Sequence, residues 1–264
     1  MWVLGRIPGL PYTTYAIGDV HGRADLLAPL LDAIGREAGA SGREPRVLFL
    51  GDIVDRGPSS RQALDLVCHT LERWPRSRLI RGNHDAYFLD FMTSEAVDEV
   101  RFSRWLLRLG GYETLESYGL IAEGGISDTA AAFRANFGRH LETLQQAVPI
   151  IVDGRFAYVH AGVDPIRPVT EQDSKDMMMI REPFLRYEGE LSHVIVHGHT
   201  PTPTCLPERG RWRIGIDTGA YATGRLTCLV VPADERIRHF LFAIASAAHV
   251  EITREEADGF ELAA

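Results

Sequence analysis

Short β-type runs, several continued at once by a glycine and an acidic, amide or imidazole side chain, recur along this sequence. The runs are Thr14 to Ile17, Arg46 to Leu50, Arg78 to Ile80, Phe156 to Val159, His193 to Val196, Arg213 to Ile216 and Leu226 to Val231. Helical spacing comes after the first two, in Leu26, Leu27, Leu30, Leu31 and Ile34, and in Ala63, Leu64, Val67 and Leu71 after a Pro58-Ser59 start. Strands alternating with helices predict a layered α/β (α+β) fold. Asp153-Gly154, between Ile150-Ile151-Val152 and Phe156 to Val159, reads as a hairpin turn.

Residues from about 87 to 148 differ in character. They hold helical stretches at Phe88 to Met92, Val97 to Leu109, Thr129 to Phe137 and His140 to Ala147, with no convincing strand, so the expectation is one domain over residues 1–264 carrying a helical insertion. Glu251 to Ala264 is acidic and weakly patterned, and is expected to be a surface helix or a frayed tail.

Composition narrows the function classes. The 264 residues are 45% hydrophobic and 24% charged, which excludes a disordered or collagenous chain. Lys plus Arg total 28 against 36 Asp plus Glu, and the net charge of −8 argues against a broad grip on nucleic acid. The longest apolar runs, such as Phe240 to Ala245, are far too short to span a membrane, and Met1 to Pro11 does not resemble a secretory signal. Cys68, Cys205 and Cys228 form no CxxC pair and fit a reducing compartment, so a cytoplasmic protein is expected.

The chemistry lies directly after the runs, in five clusters: Gly18-Asp19-Val20-His21-Gly22, Gly51-Asp52-Ile53-Val54-Asp55-Arg56-Gly57, Gly82-Asn83-His84-Asp85, His160-Ala161-Gly162 and Gly198-His199-Thr200. Each cluster falls at the C-terminal end of an expected strand, the edge of an open sheet where binding sites assemble. Asp, Asn and His supply oxygen and imidazole nitrogen without thiolate, a set suited to Mn²⁺, Fe²⁺ or Zn²⁺. More donors converge than one tetrahedral ion needs. Two ions roughly 3.5–4 Å apart, sharing a carboxylate and a water, would use them all and make a hydroxide nucleophile at neutral pH.

GDVHG, GDIVDRG, GNHD, HAG and GHT, in this order, resemble the signature of the phosphoprotein-phosphatase branch of the calcineurin-like metallophosphoesterases, in particular the small bacterial and bacteriophage lambda type serine/threonine phosphatases. The motifs run from Gly18 to Thr200, and Asp217-Thr218-Gly219-Ala220 extends the likeness. The resemblance implies a β-sandwich flanked by helices. It also implies that Asp19 and His21 hold a first metal, that Asp52 bridges two, and that Asn83, His160 and His199 complete the second. His84 would protonate the leaving group with Asp55 orienting its imidazole, and Arg56 and Arg181 would bind the phosphate. Arg181 has an unusual flank, Met177-Met178-Met179, where relatives often carry an aromatic.

The expected activity is in-line phosphomonoester hydrolysis with two divalent ions, manganese being the metal expected ahead of iron or zinc, acting on a phosphorylated protein or peptide or a small phosphoester. The alternative is a symmetrical diadenosine tetraphosphate hydrolase, because those enzymes share GDVHG, GNHD and a segment similar to Gly110-Gly111-Tyr112-Glu113-Thr114-Leu115-Glu116-Ser117-Tyr118-Gly119. They tend to lack the acid at the position of Asp55, which favours monoester cleavage. A scaffold that no longer turns over is a third reading, disfavoured because every inferred ligand and both members of the His84–Asp55 pair are present.

The remaining candidates have ordinary structural readings. His197 precedes Gly198 and is passed over in favour of His199. His69, His140, His193, His239 and His249 are expected at the surface or in packing, and Cys68 in the core. Asp85 stands where protein phosphatases commonly carry Glu, and reads equally as a helix-start acid or a support for the site. Trp105 and the Gly110 to Gly119 segment read as packing of the insertion or as a wall beside the active site.

Overall fold

The computed structural model describes residues 12–94, 98–120, 125–234, 237 and 239–257. The expectations for Met1 to Pro11, for Val97 and for the end of the chain beyond residue 257 lie outside the described residues.

The element order begins with β1 (Tyr12–Ile17), α1 (Ala24–Ser41), β2 (Glu44–Phe49), α2 (Ser60–Arg73) and β3 (Arg78–Leu79). Five helices come next: α3 (Asn83–Thr93), α4 (Glu99–Arg108), α5 (Gly111–Tyr118), α6 (Ile126–Asn136) and α7 (Gly138–Gln145). After them lie β4 (Ile150–Asp153), β5 (Phe156–Val159), α8 (Ser174–Met179), α9 (Glu182–Leu185) and β6 (Val194–His197). The chain continues through β7 (Glu208–Arg209), β8 (Arg213–Gly215), α10 (Ala220–Thr223), β9 (Arg225–Pro232), β10 (His239–Ala245) and β11 (Val250–Glu256).

Two mixed sheets result, ordered β11-β10-β9-β1-β2-β3 and β4-β5-β6-β8-β7. In the first, β1, β2 and β3 run parallel and β9 joins β1 antiparallel. In the second, β5, β6 and β8 run parallel. Side chains alternate across the pleat, so both faces are apolar, as parallel strands covered on both sides require. Leu48, Leu229 and Phe242 of the first sheet pack with Phe156, Tyr158 and Val196 of the second, forming the layer between the sheets. On the opposite face of the first sheet, Val47, Phe49 and Val230 meet α1, α2 and the helices of the insertion. Ala157, Val159 and Ile195 face outward from the second sheet onto Met177 and Phe184.

One expectation needs correcting. Glu251 to Ala264 is neither a helix nor a frayed tail over its described part: Val250–Glu256 is β11, paired antiparallel with β10. Val250 and Ile252 lean on the core, and Ala257 just beyond the strand is buried between the sheets, while Glu251, Arg254, Glu255 and Glu256 are exposed. A charged edge strand resists pairing with other chains, and the same charges obscure its alternation. The apolar run Phe240 to Ala245 is the strand beside it, with β9 as its other neighbour.

Between β3 and β4 the elements of the described residues are the five helices α3 to α7, with an isolated bridge between Ile80 and Val148. Asp98 caps α4 by accepting from the Val100 and Arg101 N–H groups, both at 3.0 Å.

Candidate metal centre

The C-terminal ends of β1, β2 and β3 in one sheet, and of β5, β6 and β8 in the other, deliver the sequence clusters to one place. The first two loops interlock there: the His21 N–H donates to the Asp52 carbonyl at 2.8 Å and the Gly22 N–H to the Ile53 carbonyl at 2.8 Å. Among the described residues, the non-glycine positions with positive φ are His21, Asp52, Asp55, Arg56, His199 and Cys205. All but Cys205 belong to the clusters. A left-handed L-residue costs about 1–2 kcal/mol, so this concentration marks where the fold gives up stability to aim side chains.

The donor atoms face one another. Asp52 Oδ2 is 3.6 Å from His21 Nε2 and 3.4 Å from His160 Nε2. Each imidazole has its other nitrogen on a backbone carbonyl, His21 Nδ1 on Val54 at 2.9 Å and His160 Nδ1 on Leu50 at 2.7 Å. An Nδ1–H donating in this way leaves the Nε2 lone pair pointing inward. Asn83 Oδ1 lies 3.1 Å from His160 Nε2, so two acceptors converge where a cation would satisfy both. Among the described residues, two groups have mutually close donor atoms: His21, Asp52 and His84, and Asp52, His160 and His199. They share Asp52.

Asp19 lies outside both groups. Its two carboxylate oxygens each accept from the His199 N–H at 3.1 Å. A side chain on Gly198 would collide with that carboxylate, and one on Gly82 would collide with Asp52. These glycines are required by close approach.

Electrostatics identify the same place as one that lacks positive charge. Asp19 is buried and its pKa is raised by desolvation and by the neighbouring Asp217. Asp217 is pushed up to about 6 and Asp85 to about 7, both chiefly by burial. Burial alone would lower His160, but without a cation the Asp52 charge pushes it up to about 10, so a metal at Nε2 would displace a proton there. Burial holds His21 and His199 down to about 3, as neutral imidazoles ready to ligate. Buried carboxylates and a set of inward lone pairs fit divalent cations.

Beside this centre, His84 Nδ1 is 2.7 Å from Asp55 Oδ2, and His84 Nε2 is 3.1 Å from an Arg56 Nη. Arg181 Nε donates to His199 Nε2 at 3.2 Å. The structure thus brings together Asp19, His21, Asp52, Asn83, His160, His199, His84, Asp55, Arg56 and Arg181. His197 turns the other way, its ring against Phe184, with burial pushing it down to about 4. His140 and His239 are buried packing residues, bonded to Asp65 and Glu37. Asp85 serves both readings: third in α3, it accepts from the Ile53 N–H at 2.9 Å behind the site.

Several contacts at the site have no counterpart in the sequence reading. Trp105 Nε1 donates to Asp55 Oδ2 at 2.8 Å, and Thr114 Oγ1 donates to Asp55 Oδ1 at 2.8 Å. The insertion therefore reaches the acid pair. Tyr221 lies edge-on to His21 and under the Arg56 guanidinium, 4.7 Å from its ring centroid. The one sequence signal for Tyr221 is its position directly after Asp217-Thr218-Gly219-Ala220.

Comparison with known proteins agrees with this architecture. The model of the calcineurin-like phosphoesterase family matches residues 12–221. The asymmetrical bis(5'-nucleosyl)-tetraphosphatase PrpE of Halalkalibacterium halodurans is 27% identical over 239 residues, covering 83% of this chain and 90% of that protein. The symmetrical bis(5'-nucleosyl)-tetraphosphatase of a Janthinobacterium strain is 25% identical over 262 residues, covering 82% and 92%. A crystal structure provisionally named a diadenosine tetraphosphatase superposes with a TM-score of 0.59 at 19% identity, covering 97% of this chain and 98% of that one. With the family model reaching into both sheets and across every cluster of the centre, the chain belongs to the calcineurin-like phosphoesterase family and is a phosphoesterase.

Proposed function

We propose that this phosphoesterase hydrolyses bis(5'-nucleosyl) tetraphosphates, using two divalent ions, with manganese the expected metal. The observation that carries the reading is a pocket of about 540 Å³ beside Arg56, lined among others by Leu106, Arg108, Tyr112 and Tyr221. Tyr112 and Tyr221 are 45% and 40% exposed, which leaves aromatic surface open to a ligand. Aromatic faces next to a phosphate-binding arginine suit a nucleoside attached to the phosphate under attack. The tetraphosphatases of Halalkalibacterium halodurans and Janthinobacterium, which align over most of their length, act, by name, on that class of compound.

Asp19, His21, Asp52, Asn83, His160 and His199 would hold the two ions, which when bound neutralise phosphate charge and activate water. Arg56 and Arg181 bind and orient the phosphate oxygens. Tyr221, packed on Arg56, keeps its guanidinium in place. His84, oriented by Asp55 through Nδ1, holds at Nε2 the proton that passes to the departing oxygen.

That last pair supports a second reading, a serine/threonine protein phosphatase. A nucleotide leaves an anhydride as a stable phosphate anion, whereas a serine alkoxide needs protonation. Asp55, anchored by Trp105 and Thr114 as well as His84, suits the harder leaving group. Free Cys68, Cys205 and Cys228 support a cytoplasmic setting for either substrate. Among the described residues no helix is long and apolar enough to cross a membrane.

The test is a comparison of kcat/KM for diadenosine tetraphosphate and a phosphoserine peptide on manganese-loaded protein, with products separated by anion exchange. ADP alone reports symmetrical cleavage, and ATP with AMP reports asymmetrical cleavage. A preference of about tenfold or more for the peptide overturns the nucleotide reading in favour of the second.

A further inference from the structure

A second cavity, of about 770 Å³, lies between α2, β3, α7, β4 and α8, and Arg56, His84 and the metal-centre residues do not line it. Its size is that of small-molecule sites. Leu71, Leu79, Ile151 and Met178 give it an apolar body. Arg78 and Arg81 line it as well. Among the described residues Arg78 Nη1 donates to the Pro75 and Ser77 carbonyls, and Arg81 Nη2 to those of Gln145 and Ala147. Among the described residues no carboxylate pairs with either guanidinium, and the buried Arg81 Nε has no partner. The two guanidiniums stand three residues apart in sequence on one wall of the cavity, in a chain of net charge −8.

We propose that this cavity is a binding site for a small organic anion with an apolar body, its anionic group on Arg78 and Arg81 and its body against Leu71, Leu79, Ile151 and Met178. Arginine forks suit carboxylate, sulfonate or phosphate oxygens, and an unpaired guanidinium loses little when it turns to them. Met178 supplies an adaptable wall. It belongs to the methionine run that the catalytic reading leaves without a role. The site adjoins the catalytic centre through the chain itself, because Arg81 directly precedes Gly82-Asn83-His84.

The test uses 8-anilinonaphthalene-1-sulfonate as the probe on the full chain loaded with manganese. One probe per chain is expected to bind with enhanced fluorescence. Met178→Trp, which puts a bulky ring on the apolar wall, and Arg78→Gln, which removes a cation bonded to carbonyls, are each expected to raise the dissociation constant at least tenfold. Both variants should hydrolyse p-nitrophenyl phosphate within about twofold of the parent. Arg56→Ala should leave probe affinity unchanged, because it lies in the other pocket. The uncharged N-phenyl-1-naphthylamine should bind at least tenfold more weakly than the sulfonate. Should Met178→Trp fail to fold, Arg78→Gln and the uncharged probe decide the matter. Unchanged affinity in the folded cavity variants, loss of affinity in Arg56→Ala, or equal binding of charged and uncharged probes overturns the proposal.

Discussion

His84 Nδ1 and Asp55 Oδ2 stand 2.7 Å apart, and Asp55 has no solvent exposure at all. Burial opposes a charge on His84, yet the Asp52 charge and the Asp55 hydrogen bond outweigh it and hold the imidazole above its ordinary pKa. A protonated imidazole beside the proposed phosphate site is a proton donor, and its value depends on how badly the leaving group needs one.

Asp55→Asn is therefore expected to lower kcat for phenyl phosphate by roughly 100-fold and for p-nitrophenyl phosphate by less than about tenfold. His84→Asn should show the same asymmetry. Steady-state kinetics on the two esters at matched metal occupancy check this, and equal losses would remove His84 from the general-acid role.

Trp105→Phe tests the reach of the insertion into the centre. The ring stacks with Phe88 and Phe91 at centroid distances of 5.9 and 5.1 Å, and phenylalanine keeps much of that packing. What disappears is the N–H donor to a buried carboxylate, a bond worth about 1.5–3 kcal/mol. The urea midpoint should fall, and turnover of phenyl phosphate should fall more than that of p-nitrophenyl phosphate. An unchanged midpoint with an unchanged ester ratio contradicts the anchoring role.

Whether a residue is legible in the sequence depends on whether its task is set locally. Asp19, Asp52, Asn83 and His199 each come after a strand and directly after a glycine, and His160 comes directly after a strand with a glycine two residues on, and that local grammar is sufficient to group them. Trp105 and Thr114 reach Asp55 across 50 and 59 residues, a contact no periodicity encodes. The charged edge strand β11 escapes sequence reading for a related reason, because its pairing with β10 and its contact with α1, not its composition, make it a strand.

Gly82→Ala should weaken metal binding while leaving the backbone angles accessible, since Gly82 has φ −85 and ψ 163. Its added methyl would overlap the Asp52 carboxylate and amide. Elemental analysis after manganese loading should find the bound metal cut by at least half, with far-ultraviolet circular dichroism near that of the parent. Full metal content would show that Asp52 can move aside.

Glu37 ties α1 to β1 and β10. It accepts from Tyr15 Oη at 3.1 Å and bonds His239 Nε2 at 3.0 Å. Burial raises its pKa, but His239 and Tyr15 outweigh that and leave it below the ordinary 4.5. A carboxyl with a depressed folded-state pKa adds stability above its unfolded pKa and loses it as the pH falls through the folded value. Glu37→Gln should therefore be destabilising at pH 7 in chelator-treated protein, and the gap to the parent should narrow as the pH drops below about 4.5. Denaturant midpoints across that range check it, and a gap that widens in acid would reverse the assigned sign.

Tyr221 bears on the substrate question because it has two jobs that kinetics can separate. Its ring lies under the Arg56 guanidinium, and 40% of the residue is exposed beside the 540 Å³ pocket. Losing the first job would weaken phosphate binding for every substrate alike; losing the second would matter only for a substrate that carries a base. Stacking of a base on an aromatic side chain is worth about 1–3 kcal/mol, or roughly 5–150-fold in affinity. Tyr221→Ala is thus expected to raise KM for diadenosine tetraphosphate at least fivefold more than KM for p-nitrophenyl phosphate, whereas Tyr221→Phe should restore both. Parallel increases in the two KM values would confine Tyr221 to supporting Arg56, and the pocket would then give no support to a nucleoside substrate over a phosphopeptide.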